Sequence, residues 1–191
     1  MGSTVAEIPS RIRPKVYLHP EVEAVDTYEF TGGTWVNLPA PGTPQVNTRV
    51  YVAMADPRPG SVSMPMDFPD SIRRELSAPS SVVVDVSALK ALGAKETILL
   101  NGHSLQVRGT VEGYQSIEMP TAFVSRDTMM QLGLLLSGEK SGLLLIKLKR
   151  PERAGEVRDY LNGVSQGEYR AWRREDLSRA NGVAFFEQQL I

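Results

Sequence analysis

The stretch SVVVDVSALKALGAKETILLNGHSLQVRG, beginning at Ser81, constrains the fold more than any other part of the chain. Val82, Val83 and Val84 make the short apolar run of a strand buried on both faces. Asp85 and Ser87 then offer capping oxygens ahead of Ala88, Leu89 and Leu92, and Gly93 tolerates the left-handed conformation that stops a helix. Two β-prone runs follow, 97–100 and 104–108, joined through Asn101-Gly102, the dipeptide that most favours a tight type I′ hairpin. Ile98 and Leu100 share one face, with Leu105 and Val107 available to pair with them. The order is strand, short helix, hairpin, and none of it is catalytic.

The remaining segments are placed around this one. Residues 8–18 read as a weak helix interrupted by Pro14 and closed at His19-Pro20, because the residue before a proline is pushed out of helical geometry. Residues 22–30 read as a strand, Thr31-Gly32-Gly33 as a turn, and 34–38 as a second strand. Three prolines and a glycine between Pro39 and Pro44 mark a surface loop. From Val46 to Met54 the pattern alternates strictly, with Val46, Thr48, Val50, Val52 and Met54 opposite Asn47, Arg49 and Tyr51, which predicts a half-buried antiparallel strand. A turn at 56–60 and an aperiodic segment at 64–69 precede a short helix capped by Asp70, with Ile72 and Leu76 on one side.

After the hairpin, residues 120–124 form a strand that feeds Ser125, the cap of a helix carrying Met129, Met130 and Leu132 and stopped near Gly133. A polar loop at 137–141 leads to a strand at 143–149 and to Pro151 in a first helical position. The helix that follows shows a stripe of Ala154, Val157, Leu161 and Val164. Residues 169–172 are expected as a final strand and 174–191 as a closing helix, weakened by Asn181-Gly182 and ending on Phe185-Phe186 without a stop, so that a longer helix is expected beyond it. Residues 1–7 read as a lead-in, with no signal-peptide pattern.

Charge and residue types exclude most chemistries. The 21 basic and 22 acidic residues nearly cancel, so there is no concentrated basic face for nucleic acid. With no cysteine, disulfides, thiolate metal sites and cysteine nucleophiles are all excluded. His19 and His103 are the only histidines and lack ligand spacing, and no G-x-S-x-G elbow holds a serine against either. The glycines form neither a dinucleotide fingerprint nor a Walker pattern. Glu21 with Glu23 and Asp67 with Asp70 read as solvated face and helix start rather than as paired catalytic carboxylates. No catalytic, cofactor-binding or metal-binding residue is therefore expected, and no cofactor.

Lys147, Lys149, Arg150 and Arg153, and Arg170, Arg173 and Arg174, are read as solvated rims, with anionic lipid headgroups as the narrower alternative. Met64, Met66 and Phe68 are candidate partner contacts, since methionine adapts to varied surfaces. The competing reading of that segment is a loop tucked over the core. No run approaches the roughly 20 apolar residues of a membrane-spanning helix, and the chain as given is expected to be soluble.

The strings His19-Pro20-Glu21-Val22-Glu23-Ala24-Val25, Val82-Val83-Val84-Asp85 with Leu92-Gly93, Asn101-Gly102-His103 through Val107-Arg108-Gly109, and Arg170-Ala171-Trp172 with Glu175 carry a family resemblance in their order and spacing. Over residues 12–191 the chain resembles the extracytoplasmic core domain of MacB-like and FtsX-like ABC transporter permeases, particularly DevC-type subunits. The resemblance implies a two-lobed α+β fold of the Porter/Sabre kind. A βαβ-like, membrane-proximal lobe would be built from both chain ends, 8–38 and 143–191, and a β-rich lobe, 46–140, would be inserted in it.

The resemblance also implies a place on the outer, periplasmic side of the cytoplasmic membrane. The implied partners are transmembrane helices of the full-length chain, a second permease copy, an ABC ATPase subunit reached through the membrane part, and a periplasmic adaptor protein. The implied role is non-enzymatic coupling of ATP-driven motion to export, substrate release or adaptor engagement; the alternative is a stand-alone periplasmic ligand- or protein-binding module using 64–69. Two departures stand out. The strand that commonly begins the family's domain is not found before Ile8, which would leave a sheet edge open to pairing, and 64–69 is unusually rich in methionine and proline.

Overall fold

The computed structural model describes residues 8–37, 47–93, 96–114, 119–135 and 140–177. The chain begins with β1 (Ile8–Pro9), α1 (Ile12–Tyr17) and β2 (Val22–Tyr28). It continues through β3 (Phe30–Asn37), β4 (Asn47–Met54), α2 (Asp70–Ser77), β5 (Ser81–Asp85) and α3 (Val86–Leu92). Next come β6 (Thr97–Leu100), β7 (His103–Val111), β8 (Thr121–Val124) and α4 (Arg126–Gln131). β9 (Lys140–Ser141), β10 (Leu143–Leu148) and α5 (Ala154–Val164) complete the order, α5 being entered through a 3-10 turn at Pro151–Arg153. A further helical turn occupies 174–177.

Six strands close into a barrel in the order β3-β4-β8-β5-β7-β6. Its pairing is mixed: β4 with β8 and β5 with β7 are parallel, and the other pairs are antiparallel. Alternation along the strands divides the valine run between two cores. Val82 and Val84 point into the barrel with Trp35, Val50, Val52 and Leu100. Val83 points outward and is covered by Ile72 and Leu76 of α2 together with Phe68 and Phe123. The hairpin is as expected, with Asn101 at φ 49° and Gly102 at φ 81° and with Ile98 opposite Leu105. Asp85 accepts the Ser87 amide at 2.8 Å, and Gly93 at φ +56° follows α3. Ser125 likewise accepts the Thr128 amide at 3.2 Å to start α4.

The chain ends build a second, smaller layer. β2 and β10 form an antiparallel ribbon, from Leu143 opposite Tyr28 to Leu148 opposite Val22, with an irregularity beside Lys147. Ile12 and Val16 of α1 and Val157 and Leu161 of α5 cover one face of it over Val22 and Val25. β1, α1 and β2 succeed one another as in a βαβ unit, but β1 pairs with β9 and β2 with β10, in separate ladders.

Several sequence expectations give way to tertiary structure. Thr31-Gly32-Gly33 is not a turn: β3 runs straight through it and pairs with both β4 and β6, as a strand of the barrel and not of the ribbon. A Cβ on Gly33 would lie 2.7 Å from Cγ2 of Val52, so glycine here serves close packing inside the barrel. β4 is antiparallel to β3 but parallel to β8, because the long excursion through α2, β5 and the hairpin returns the chain in the same direction. Asp70 sits in the first turn of α2, and Pro69 holds the cap position.

Residues 169–172 form no strand. The Ala171 backbone instead donates to Asn162 Oδ1 at 2.8 Å and accepts from its Nδ2 at 3.1 Å, so one side-chain amide replaces a neighbouring strand. The expectations for 1–7, 39–46, 137–139 and 178–191 lie outside the described residues.

Candidate functional site

Most of the polar residues singled out in the sequence have structural partners among the described residues. His19 accepts the Glu21 amide at Nδ1, 3.2 Å away, and packs edge-on against Tyr160 at 4.8 Å, whereas His103 is exposed beside the hairpin turn. Glu21 and Glu23 do not converge. Glu23 pairs with Lys147 at 2.7 Å, and Glu21 is buried between Arg150 and Arg153. The hydrogen bonds from Arg150, reinforced by the charges of both arginines, outweigh burial and lower the Glu21 carboxyl from 4.5 to about 2. Asp67 accepts the Tyr114 hydroxyl, and Asp70 lies 3.9 Å from Arg73. Among the described residues no His, Asp and Glu cluster has the makings of a metal site.

The basic clusters are also engaged. Lys149 donates to the Pro20 carbonyl at 2.8 Å, and Arg153 also holds Glu156. Arg173 and Arg158 converge on Asp176, and hydrogen bonding from Arg173 lowers that carboxyl to about 2. Arg170 stacks over Trp172, 4.1 Å from the ring centroid. Of the three candidate partner contacts, Met64 and Phe68 belong to the core beneath α2 and offer no surface; Met66 alone is available, at 88% exposure. The aperiodicity of 64–69 conceals this, because a loop buries residues such as Met64 and Phe68 without following a strand or helix period.

What the sequence does not reveal is a polar seam where the ribbon meets the barrel. Asp26 of β2 accepts the Ser61 hydroxyl at 2.8 Å and the Val62 amide at 2.7 Å, both from the loop after β4, while Arg13 approaches its other oxygen at 3.8 Å. Next to it, Arg126 of α4 donates to Thr27 Oγ1 at 3.0 Å. Glu29, the single residue between β2 and β3, accepts the Gly142 amide through its side chain at 3.1 Å and the Met54 amide through its carbonyl at 3.0 Å. Beside the seam, Asp56, Arg58, Ser125 and Asp127 line an open groove of about 230 Å³. That is smaller than the roughly 300 Å³ at which ligand pockets begin. Asp56 is buried, and its carboxylate is held by Arg58 through Nε at 2.7 Å.

The sequence matches no protein-family model and no curated protein. Among solved structures, the extracellular domain of the noncanonical ABC-type transporter YknZ from Gram-positive bacteria matches 88% of this chain and 90% of its own, at 11% identity and a TM-score of 0.51. A domain of a protein described as a permease from Porphyromonas gingivalis matches 86% of this chain and 72% of its own, at 12% identity and a TM-score of 0.50. The periplasmic region of MacB from Actinobacillus actinomycetemcomitans aligns over 82% of this chain and 74% of its own, at 14% identity and a TM-score of 0.46. The chain thus has the fold of extracytoplasmic domains of ABC-type permeases, and nothing in these likenesses singles out the DevC-type subunits.

Proposed function

We propose that this chain is the extracytoplasmic domain of an ABC-type permease subunit and that it relays movement rather than transforming a molecule. The observation that carries the reading is the likeness to the YknZ extracellular domain over nearly the whole of both chains. Two further features support it. Both described chain ends, Ile8 and 174–177, lie on the ribbon layer, where Ile8 packs against its core and Arg158 of α5 meets Asp176. No helix among the described residues is long and apolar enough to cross a membrane, so spanning helices of the full-length chain would have to attach beyond them.

In this reading the ribbon layer and the barrel are two bodies divided at Glu29. Motion driven by a separate ABC ATPase enters through the ribbon, crosses the Asp26 and Arg126 seam, and repositions the barrel on the periplasmic side. A second permease copy, a periplasmic adaptor and the exported cargo belong to the same reading, and Met66 is the contact offered to a protein partner.

The seam supplies the test. The chain has no cysteine, so Asp26→Cys with Ser61→Cys introduces a single disulfide between ribbon and barrel. In the full-length permease assembled with its ATPase, oxidation is expected to lower ATP hydrolysis several-fold, with recovery on reduction. An unchanged rate after complete cross-linking would dispose of the relay across this seam.

A further inference from the structure

The tripeptide Leu-Asn-Gly occurs twice, at Leu100-Asn101-Gly102 and at Leu161-Asn162-Gly163, and the fold sets the two copies in opposite surroundings. Asn101 and Gly102 are both exposed and form the turn between β6 and β7, with φ of 49° and 81°. The Asn101 amide donates to the Thr34 carbonyl at 2.9 Å, and Oδ1 of its side chain accepts the Thr34 amide at 2.8 Å. The side chain thus lengthens by one step the seam between β3 and β6, which pair at only three positions. Among the described residues, Nδ2 of Asn101 and the amide of Gly102 have no partner. Asn162, by contrast, is half-buried inside α5. Its Oδ1 and Nδ2 both bind the Ala171 backbone, at 2.8 and 3.1 Å, and the helical ladder takes up the Gly163 amide.

We propose that Asn101 is a site of spontaneous covalent modification, a deamidation by its own backbone from which Asn162 is protected. The Gly102 nitrogen bonds to Cγ of Asn101 and passes its proton to Nδ2; the Cγ–Nδ2 bond breaks, ammonia leaves and a succinimide ring closes. Water then opens the ring at one carbonyl or the other, leaving aspartate or isoaspartate. One water is consumed and one ammonia released, with no change of oxidation state. The reaction needs a free nitrogen, an unhindered approach and a leaving amide that nothing holds. Gly102 meets the first two needs, with open space where a side chain would stand, and the unpaired Nδ2 meets the third. Negative charge gathers on Oδ1 as the nitrogen adds, and a backbone amide already donates to that oxygen in both copies. The difference therefore lies at the nitrogens, which are free in the turn and engaged in the helix. The two products act differently on the barrel. Aspartate keeps an acceptor for the Thr34 amide, whereas isoaspartate routes the backbone through the former side chain, adds a methylene to the turn and removes that acceptor. The proposal stands apart from the permease reading, since it needs only the folded barrel.

The test follows both tripeptides in the intact chain, incubated in warm, mildly alkaline buffer with and without denaturing urea. Peptide mass mapping reads the conversion of amide to acid, and enzymatic methylation of isoaspartate reads the second product. In urea both asparagines are expected to convert at similar rates, because their neighbours in sequence are the same. In the folded chain Asn101 is expected to convert at least several-fold faster than Asn162. Asn101→Asp, which has no ammonia to lose and keeps the acceptor, is the reference for the barrel. The Thr34 amide should exchange its hydrogen several-fold faster in the isoaspartyl product than in this variant. Equal rates at the two asparagines of the folded chain, or an Asn101 that stays intact there while converting in urea, would overturn the proposal. Equal exchange at Thr34 in the two forms would overturn the part Asn101 plays in the seam, and none of these results bears on the ATPase experiment.

Discussion

In the barrel six strands satisfy one another all the way round, and the layer beneath α2 buries the outer face of the central strands as well, so that Val82, Val83 and Val84 are all fully enclosed. In the chain-end layer two strands share a core of six buried apolar residues, and its rim is fastened by Glu21, Arg150, Arg153, Arg158, Arg173 and Asp176. The barrel is therefore held by apolar burial, which neither charge screening nor protonation removes. The chain-end layer depends more on ion pairs, which are screened by salt and lost on protonation.

The sharpest way to break the contrast is at Trp35, which is fully buried in the barrel and donates its indole N–H to Asn37 at 3.0 Å. Trp35→Ala is expected to destabilise the chain by about 3–5 kcal/mol in urea unfolding. A loss as small as that of a surface substitution would mean that the barrel is not the rigid member. Gly33→Val comes next. Its side chain would collide with Val52 and Leu100, and overpacking of this kind costs about 1–3 kcal/mol. A neutral result would restore the turn that the glycine pair suggests.

The smallest effect belongs to the chain-end layer and is local. The Glu21 carboxyl is lowered from 4.5 to about 2 in the folded chain, so its stabilisation is complete above about 4.5 and disappears as pH falls through about 2. Asp176, lowered to about 2 by Arg173, acts in the same window. Hydrogen exchange, corrected for intrinsic rates, should show β2 and β10 amides losing protection over this range ahead of β5 and β8. Glu21→Gln should reduce that pH dependence while leaving the barrel amides unchanged. Simultaneous loss in both regions would show that they unfold as one unit.

Much of the fold is legible in the sequence wherever local chemistry leaves one option. Asn101-Gly102 adopts positive φ at both positions because few other pairs can, and Ser125 and Gly133 bracket α4 by capping and by left-handed geometry. Legibility fails where a residue answers to a distant partner. Gly33 looks like a turn residue until Val52 is set against it, and 169–172 looks like a strand until Asn162 takes up its backbone. Met64 and Phe68 look available because a loop carries no period to betray which of its residues turn inward. The seam at Asp26 is invisible because its partners, Ser61 and Val62, lie 35 and 36 residues away and carry no spacing rule.

By itself, then, the amino-acid order determined the class of fold and the central strand-helix-hairpin, since turns and caps act over a few positions. Only the tertiary structure decided that the strands close into a barrel and that Glu29 stands between it and the ribbon. Those outcomes depend on which strand edges meet, and hydrogen-bonding groups of the backbone are the same at every position, so no side-chain pattern announces their partners.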